Sequence, residues 1–163
     1  MRLAADGVTI SRRMAEVFDG QIEVLATSPE LRAKLSFPVA QDHVVLAVED
    51  NADTLQLWGR YVEGSAFSLV ALQDPARALS MARALHPALI VLDVMMPDVD
   101  GWHLLRSLRD QPETASIPVI VCTVLPQEAL ARSQGASAFL RKPATRQTFL
   151  SVLEQQIAAA TAT

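Results

Sequence analysis

The sequence has few of the residues that cross-link proteins or hold zinc. It contains one cysteine, Cys122, in 163 residues. A single cysteine excludes an internal disulfide and any zinc site built from several cysteines. Because Cys122 continues the apolar run Val119, Ile120 and Val121, we expect a buried packing residue and not a reactive thiol.

Long apolar runs and an excess of basic charge are also missing. No stretch reaches the ~20 apolar residues that a membrane-spanning helix needs, and residues 1–7 lack the apolar core of a signal peptide. The formal net charge is −4, whereas binding to nucleic acid requires clustered Lys and Arg. We therefore expect a cytoplasmic protein with no membrane span and no nucleic-acid surface.

Apolar residues are plentiful, at 50% of the chain, which is enough for one core. From residue 44 onward, continuous apolar runs alternate with amphipathic stretches, as in a parallel sheet covered by helices on both faces. The predicted strands cover residues 44–48, 67–71, 89–92, 119–122 and 138–140. The predicted helix faces carry Leu104, Leu105 and Leu108, and then Phe149, Leu150, Leu153 and Ile157.

This alternation predicts a doubly wound α/β fold with right-handed crossovers. Asp74-Pro75 marks one helix start, because it supplies a capping side chain and a proline in the first turn. In such sheets a ligand binds beyond the carboxyl ends of the strands. The residues that follow the strands are therefore the candidates for a functional site.

Residues 1–43 follow another pattern. Ile10, Met14, Val17 and Phe18 have helical spacing before Gly20, and alternating residues on both sides of the turn at 28–30 predict a β-hairpin. We divide the chain into a helix-and-hairpin extension at residues 1–38, a linker at 39–43 and the α/β domain at 44–160.

Acidic residues end two of the predicted strands. Glu49 and Asp50 follow the first strand, and Asp93 follows the third. Three clustered carboxylates repel one another unless a cation lies among them. Oxygen ligands of this kind suit Mg²⁺, which keeps several waters and binds phosphate oxygens.

A hydroxyl and an amine are predicted at the same edge. Thr123 ends the fourth strand and Lys142 follows the fifth, so both could donate hydrogen bonds to phosphoryl oxygens. Each residue alone is an ordinary surface residue. Together with the carboxylates they form a set suited to making and stabilising an acyl phosphate.

Residues 44–157 resemble the receiver family of response regulators in two-component signalling. The matching blocks are Val48-Glu49-Asp50-Asn51, the run from Leu92 to Gly101, and Phe139-Leu140-Arg141-Lys142-Pro143, in the family's order. The resemblance implies a flavodoxin-like sheet of five parallel strands in the order 2-1-3-4-5.

The resemblance also assigns roles to the site residues. Asp93 would be the phosphoacceptor, and Thr123 and Lys142 would bind the phosphoryl group. Phe139 would be the aromatic switch partner of Thr123, and the Lys142–Pro143 bond would be cis. The implied ligands of Mg²⁺ are Glu49, Asp50, Asp93 and the backbone carbonyl of Met95.

The implied function is phosphoryl transfer from a histidine kinase or a histidine phosphotransfer protein to Asp93, followed by a change in protein–protein contacts. Such a domain is not an enzyme, although it can catalyse its own phosphorylation and dephosphorylation. No output domain follows in this sequence, so we expect the output to be a protein contact or onward transfer to another histidine. The alternative is a receiver-like interaction module that is never phosphorylated.

Three features depart from the family pattern. Val124 stands where a small residue is usual, and Met95 and Leu125 are apolar at positions thought to influence attacking water. These residues predict slow phosphorylation by small donors and a long-lived phosphoryl group. The short segment from Thr123 to Gly135 predicts that the helix within it loses about a turn.

The extension has a resemblance of its own. The runs Ile10–Met14, Gly20–Val24 and Phe37-Pro38-Val39 are similar to the closing helix and hairpin of a histidine-kinase ATPase domain, as in a hybrid kinase. The boxes that hold ATP are absent from this sequence, so no nucleotide site is predicted. An accessory helix and hairpin that serve the α/β domain remain an equal alternative.

Other phosphotransfer and metal sites fit less well. The run Asp98-Val99-Asp100-Gly101 lacks the further ligands of a calcium loop. Asp98 also follows Pro97 and not a strand, unlike the nucleophile of haloacid-dehalogenase-like enzymes. We interpret Asp100 as a helix cap, and the three scattered histidines as having no metal or catalytic role.

Overall fold

The computed structural model describes residues 21–27, 30–36, 43–97 and 99–162. The chain divides into two compact units, Met1–Gln41 and Asp42–Thr163. The helix predicted over residues 10–18 lies outside the described residues. The predicted division into extension, linker and α/β domain, and the resemblance of the extension to a kinase domain, stay predictions.

The first unit contains the β-hairpin that the alternating sequence predicts. Strands β1 (Gln21–Thr27) and β2 (Glu30–Ser36) pair antiparallel. Their register places Gln21 opposite Ser36 and Thr27 opposite Glu30.

The second unit is built on five parallel strands. They are β3 (His43–Val48), β4 (Phe67–Leu72), β5 (Leu89–Leu92), β6 (Val119–Thr123) and β7 (Ala138–Arg141). Their spatial order is β4-β3-β5-β6-β7, and every neighbouring pair is parallel. Counted from β3, this order is the predicted 2-1-3-4-5, so the fold prediction is confirmed.

Helices connect and cover the strands. They are α1 (Ala52–Val62), α2 (Ala78–Leu85), α3 (Gly101–Asp110), α4 (Glu128–Ser133) and α5 (Arg146–Thr161). Asn51, Asp100 and Thr145 cap α1, α3 and α5 through side-chain oxygens that accept backbone N–H groups. The predicted start at Asp74 is a 3₁₀ turn over Pro75–Arg77 that leads into α2. Helix α4 has six residues, in line with the short segment predicted there.

The sheet has a hydrophobic core on each face because successive strand residues point to opposite sides. Leu46 and Val48 pack toward α2 and α3, whereas Val45 and Ala47 pack toward α1 and α5. All four are fully buried. Cys122 is also fully buried, and this burial raises the pKa of its thiol to about 12, which confirms the predicted packing role.

None of the helices in the described part of the chain is long and apolar enough to cross a membrane.

Gly101, the first residue of α3, lies against the loop that follows β5. A Cβ atom added at Gly101 would lie 2.9 Å from the carbonyl carbon and oxygen of Val94. Backbone atoms cannot move aside as a flexible side chain can. Glycine is therefore required where α3 approaches the loop that carries Met95.

We predict that Gly101→Ala destabilises the protein by about 2 kcal/mol because it overpacks this contact. The matched control is Gly59→Ala within α1, where an added Cβ meets nothing within 4 Å. Helix propensity should make the control more stable by about 0.5–1 kcal/mol. Urea unfolding measures both values, and equal stabilities would refute the proposed close contact.

Candidate functional site

The polar residues predicted from the strand ends meet at the carboxyl edge of the sheet. Glu49 follows β3, Asp93 follows β5, Thr123 ends β6, and Lys142 follows β7. The Asp93 N–H donates to the carbonyl of Val48 at 3.0 Å, which ties the two acidic loops together. Glu49 is 2%, Asp93 5% and Thr123 0% exposed.

One ammonium group bridges the two buried carboxylates. Lys142 Nζ donates to Asp93 Oδ2 at 2.5 Å and also to Glu49 Oε2. Burial lowers the pKa of Lys142, but hydrogen bonds and charge attraction from both carboxylates outweigh burial and raise it above its ordinary value. Lys142 is therefore charged at any physiological pH.

Burial affects the pKa of Glu49 more strongly than the neighbouring Lys142 does. Burial raises the pKa of Glu49 above its ordinary value, and the Asp93 charge raises it further, although Lys142 pulls it down. The Asn51 N–H also donates to Glu49 Oε1 at 3.2 Å. The charged form of Glu49 is thus less favourable in the site than in water, even with Lys142 beside it.

Asp93 is fixed from both sides. The Met95 N–H donates to Asp93 Oδ1 at 2.8 Å, while Lys142 contacts the other oxygen. This arrangement orients the carboxylate before any ligand arrives. Met95 itself is 50% exposed.

Asp50 borders an open cleft next to this carboxylate. The cleft is lined by Asp50, Val94, Met95, Met96, Pro97, Val99 and Asp100. The Asp50 side chain is exposed, and its backbone carbonyl accepts a hydrogen bond from Gln73 Nε2 at 3.2 Å. The Asp50 carboxylate and the loop that carries Met95 therefore line the same open cleft.

Thr123 and Phe139 lie on adjacent strands, and within the described residues no hydrogen bond joins the Thr123 hydroxyl to Asp93. The backbone carbonyl of Thr123 accepts the Lys142 N–H at 2.9 Å. In the described residues, the only hydrogen bond of the Thr123 hydroxyl is a long one from the Leu125 N–H, at 3.5 Å. Phe139 is half-buried and packs against the core on the α2–α3 face.

The predicted metal ligands do not all converge in this conformation. Within the ranges that the structure covers, no three carboxylate, histidine or cysteine side chains are grouped as a metal site. Glu49 and Asp93 contact Lys142, while Asp50 faces the cleft. The fourth predicted ligand, at Met95, is a backbone carbonyl and not a side chain.

Two contacts around Lys142 were not predicted. Its Nζ lies 5.3 Å from the ring centroid of Trp58 in α1. The Tyr61 hydroxyl donates to the carbonyl of Ala144 at 3.0 Å. No local sequence signal marks either residue, because both read as ordinary apolar positions of an amphipathic helix. The Lys142–Pro143 bond is cis, as the resemblance implies.

The sequence model of the response regulator receiver domain matches residues 45–154. The chain belongs to the response regulator receiver family. This match covers most of the second unit, including every candidate site residue. The resemblance inferred from the three sequence blocks is thus confirmed.

Relatives of this receiver include a polar-differentiation response regulator. The polar-differentiation response regulator DivK of Brucella ovis is 30% identical over 116 residues, which cover 69% of this chain and 94% of DivK.

Solved structures share the fold. The signal receiver domain of a signal transduction histidine kinase from Syntrophus aciditrophicus has a TM-score of 0.67 and 27% identity, covering 74% of this chain and 94% of that one. The receiver domain of sensor histidine kinase PA1611 from Pseudomonas aeruginosa PAO1 has a TM-score of 0.65 and 22% identity, covering 72% and 98%. The latter holds a magnesium ion coordinated in its active-site cleft.

We predict that Lys142→Met destabilises the receiver by about 3 kcal/mol at about pH 8, because two buried carboxylates lose their counter-charge. The Glu49 pKa then rises further above 4.5, since Lys142 no longer lowers it. A group whose pKa is raised in the folded state stabilises that state below its unfolded-state pKa, and this stabilisation is lost as the pH rises. The destabilisation caused by Lys142→Met should therefore become smaller as the pH falls toward 4.5.

Urea unfolding across this pH range measures the effect. The matched control is Arg141→Met, which removes the neighbouring but exposed positive charge. A pH-independent cost for Lys142→Met, or one no larger than that of the control, would contradict the charge argument.

Proposed function

We propose that this receiver accepts a phosphoryl group on Asp93 from the phosphohistidine of a histidine kinase or a histidine phosphotransfer protein. The observation that carries the proposal is the Asp93 carboxylate, held between Lys142 Nζ at 2.5 Å and the Met95 N–H at 2.8 Å. It stands at the end of a central strand, where α/β sheets bind their ligands. Family membership supports the same function.

The transfer follows from these contacts. A carboxylate oxygen of Asp93 attacks phosphorus, the P–N bond to the donor imidazole breaks, and an acyl phosphate forms on Asp93. Lys142 and the Met95 N–H orient the carboxylate during the attack. Lys142 then donates to the new phosphoryl oxygens, and the Thr123 hydroxyl, which has only a weak partner before transfer, donates to them as well.

The donor set fits Mg²⁺. Glu49, Asp50 and Asp93 carry three negative charges against the single positive charge of Lys142, which leaves two to compensate. We assign these three carboxylates and the Met95 carbonyl as the residues that hold the ion, directly or through water. When bound, Mg²⁺ offsets the repulsion between the carboxylate and the incoming phosphoryl group. The magnesium in the PA1611 receiver supports this assignment.

Phosphorylation then acts as a switch. The Thr123 hydroxyl moves toward the phosphoryl group, and half-buried Phe139 turns into the space that it leaves. This change shifts a two-state equilibrium and alters the outer surface near β7. The receiver is therefore a phosphoacceptor that changes its protein contacts, and not an enzyme that acts on a separate substrate.

Intact mass after incubation with acetyl phosphate and Mg²⁺ tests the proposal. We expect a gain of one phosphoryl group, about 80 Da, in the wild type. Asp93→Asn and a sample without Mg²⁺ should show no gain. The matched control Asp53→Asn, which changes an exposed carboxylate in the first turn of α1, should gain the group as the wild type does.

A wild type that gains no mass from this donor or from a phosphorylated histidine protein would favour the alternative, a receiver-like binding module. A gain retained in Asp93→Asn would place the acceptor elsewhere.

Val124 should restrict small donors. Val124 follows Thr123 directly and is 55% exposed, and we infer that its branched side chain narrows the approach of a donor to Asp93. We predict that Val124→Ala accelerates phosphorylation by acetyl phosphate about threefold, which corresponds to less than ~1 kcal/mol in the barrier. The control is Leu130→Ala, an exposed apolar residue on α4. Equal rates for all three proteins, measured by mass over time, would exclude this restriction.

A further inference from the structure

Trp58 places an aromatic face beside the site lysine, although its helix supplies no predicted ligand. Its ring centroid is 5.3 Å from Lys142 Nζ, within the ~6 Å over which an ammonium is attracted to an aromatic face. Trp58 is 2% exposed. Lys142 therefore contacts two carboxylates and one desolvated aromatic ring.

The Trp58 ring is held in place by its neighbours. It stacks on Phe149 of α5, with ring centroids 5.6 Å apart and an interplanar angle of 22°. Phe149 is 1% exposed, so neither ring has room to swing away. The aromatic face presented to Lys142 is thus a fixed part of the core between α1 and α5.

Helix α1 also fixes the backbone that follows Lys142. Tyr61, one turn after Trp58, donates its hydroxyl to the carbonyl of Ala144 at 3.0 Å. Its ring contacts Phe149, with centroids 5.8 Å apart. The same helix therefore contacts the ammonium of Lys142 through Trp58 and the backbone two residues later through Tyr61.

We propose that Trp58 is a positioning residue for Lys142 in phosphoryl acceptance on Asp93. The inference rests on the proposed function and deepens it. Lys142 has a flexible four-carbon stem and three N–H donors, and its ammonium donates to Glu49 and Asp93. The Trp58 face confines the ammonium to the mouth of the site.

An aromatic face suits this task better than a third hydrogen-bond acceptor. Attraction to a ring varies little when the ammonium shifts slightly across it, whereas a hydrogen bond weakens steeply with angle. Lys142 can therefore move from carboxylate oxygens to phosphoryl oxygens without losing the contact. A leucine at this position would fill the core but would not confine the charge.

The experiment compares Trp58→Leu with Trp58→Phe, which keeps an aromatic face. We expect Trp58→Leu to gain a phosphoryl group from acetyl phosphate and Mg²⁺ about fivefold more slowly than the wild type, and Trp58→Phe to recover most of the rate. Phe67→Leu removes a buried ring from the same core at the amino end of β4, whereas Lys142 lies at the carboxyl edge of the sheet. It should lose stability without losing rate.

A second measurement needs neither Mg²⁺ nor phosphate. Urea unfolding of Trp58→Leu, Lys142→Met and the double variant forms a double-mutant cycle. We expect the fold-change in the unfolding constant of the double variant to be smaller than the product of the two single-variant fold-changes, by about threefold or more. A purely structural Trp58 would give effects that multiply.

The inference would be overturned if Trp58→Leu were phosphorylated at the wild-type rate and if its effect on the unfolding constant multiplied with that of Lys142→Met. Equal slowing by Trp58→Leu and Phe67→Leu would also overturn it, since any core damage would then suffice. If the wild type gains no phosphoryl group, the proposed function fails. The unfolding cycle still decides whether Trp58 and Lys142 interact.

Discussion

The bridge from Lys142 to Glu49 and Asp93 is the interaction on which the site depends. Two carboxylates buried side by side at strand ends would repel each other and resist desolvation. The single ammonium makes their burial possible, yet it leaves surplus negative charge once exposed Asp50 is counted. That surplus is what the proposed Mg²⁺ would offset, and the contacts from Lys142 and the Met95 N–H hold Asp93 in the orientation that the proposed attack requires.

The parallel sheet supplies this arrangement from residues far apart in sequence. Each strand ends at the same edge, so Glu49, Asp93 and Lys142 meet although 93 positions separate the first from the last. The core on either face is almost entirely apolar, and the polar site residues lie at or just beyond the carboxyl ends of the strands. Glycine at position 101 then lets α3 approach the Met95 loop closely enough to shape the cleft.

The parts that sequence reasoning predicted are those with local signals. Apolar runs marked the strands, and the residues after them identified Glu49, Asp93, Thr123 and Lys142. Contacts between distant elements carried no such signal. Trp58 beside Lys142 is one case, and Arg109, whose guanidinium donates to the backbone carbonyls of residues 115, 117 and 135, is another. Such contacts depend on how helices pack over the sheet, which periodicity does not specify.

Localising the phosphoryl group on the chain decides whether Asp93 is the phosphoacceptor. The protein would be incubated with Mg²⁺ and phosphoramidate, a small donor with the P–N bond of phosphohistidine, and its fragments analysed by mass spectrometry. We expect one phosphoryl group per chain, on the fragment that contains Asp93, and we expect it to be lost when the acyl phosphate hydrolyses. A phosphoryl group on any other residue, or a stable phosphoester, would contradict it.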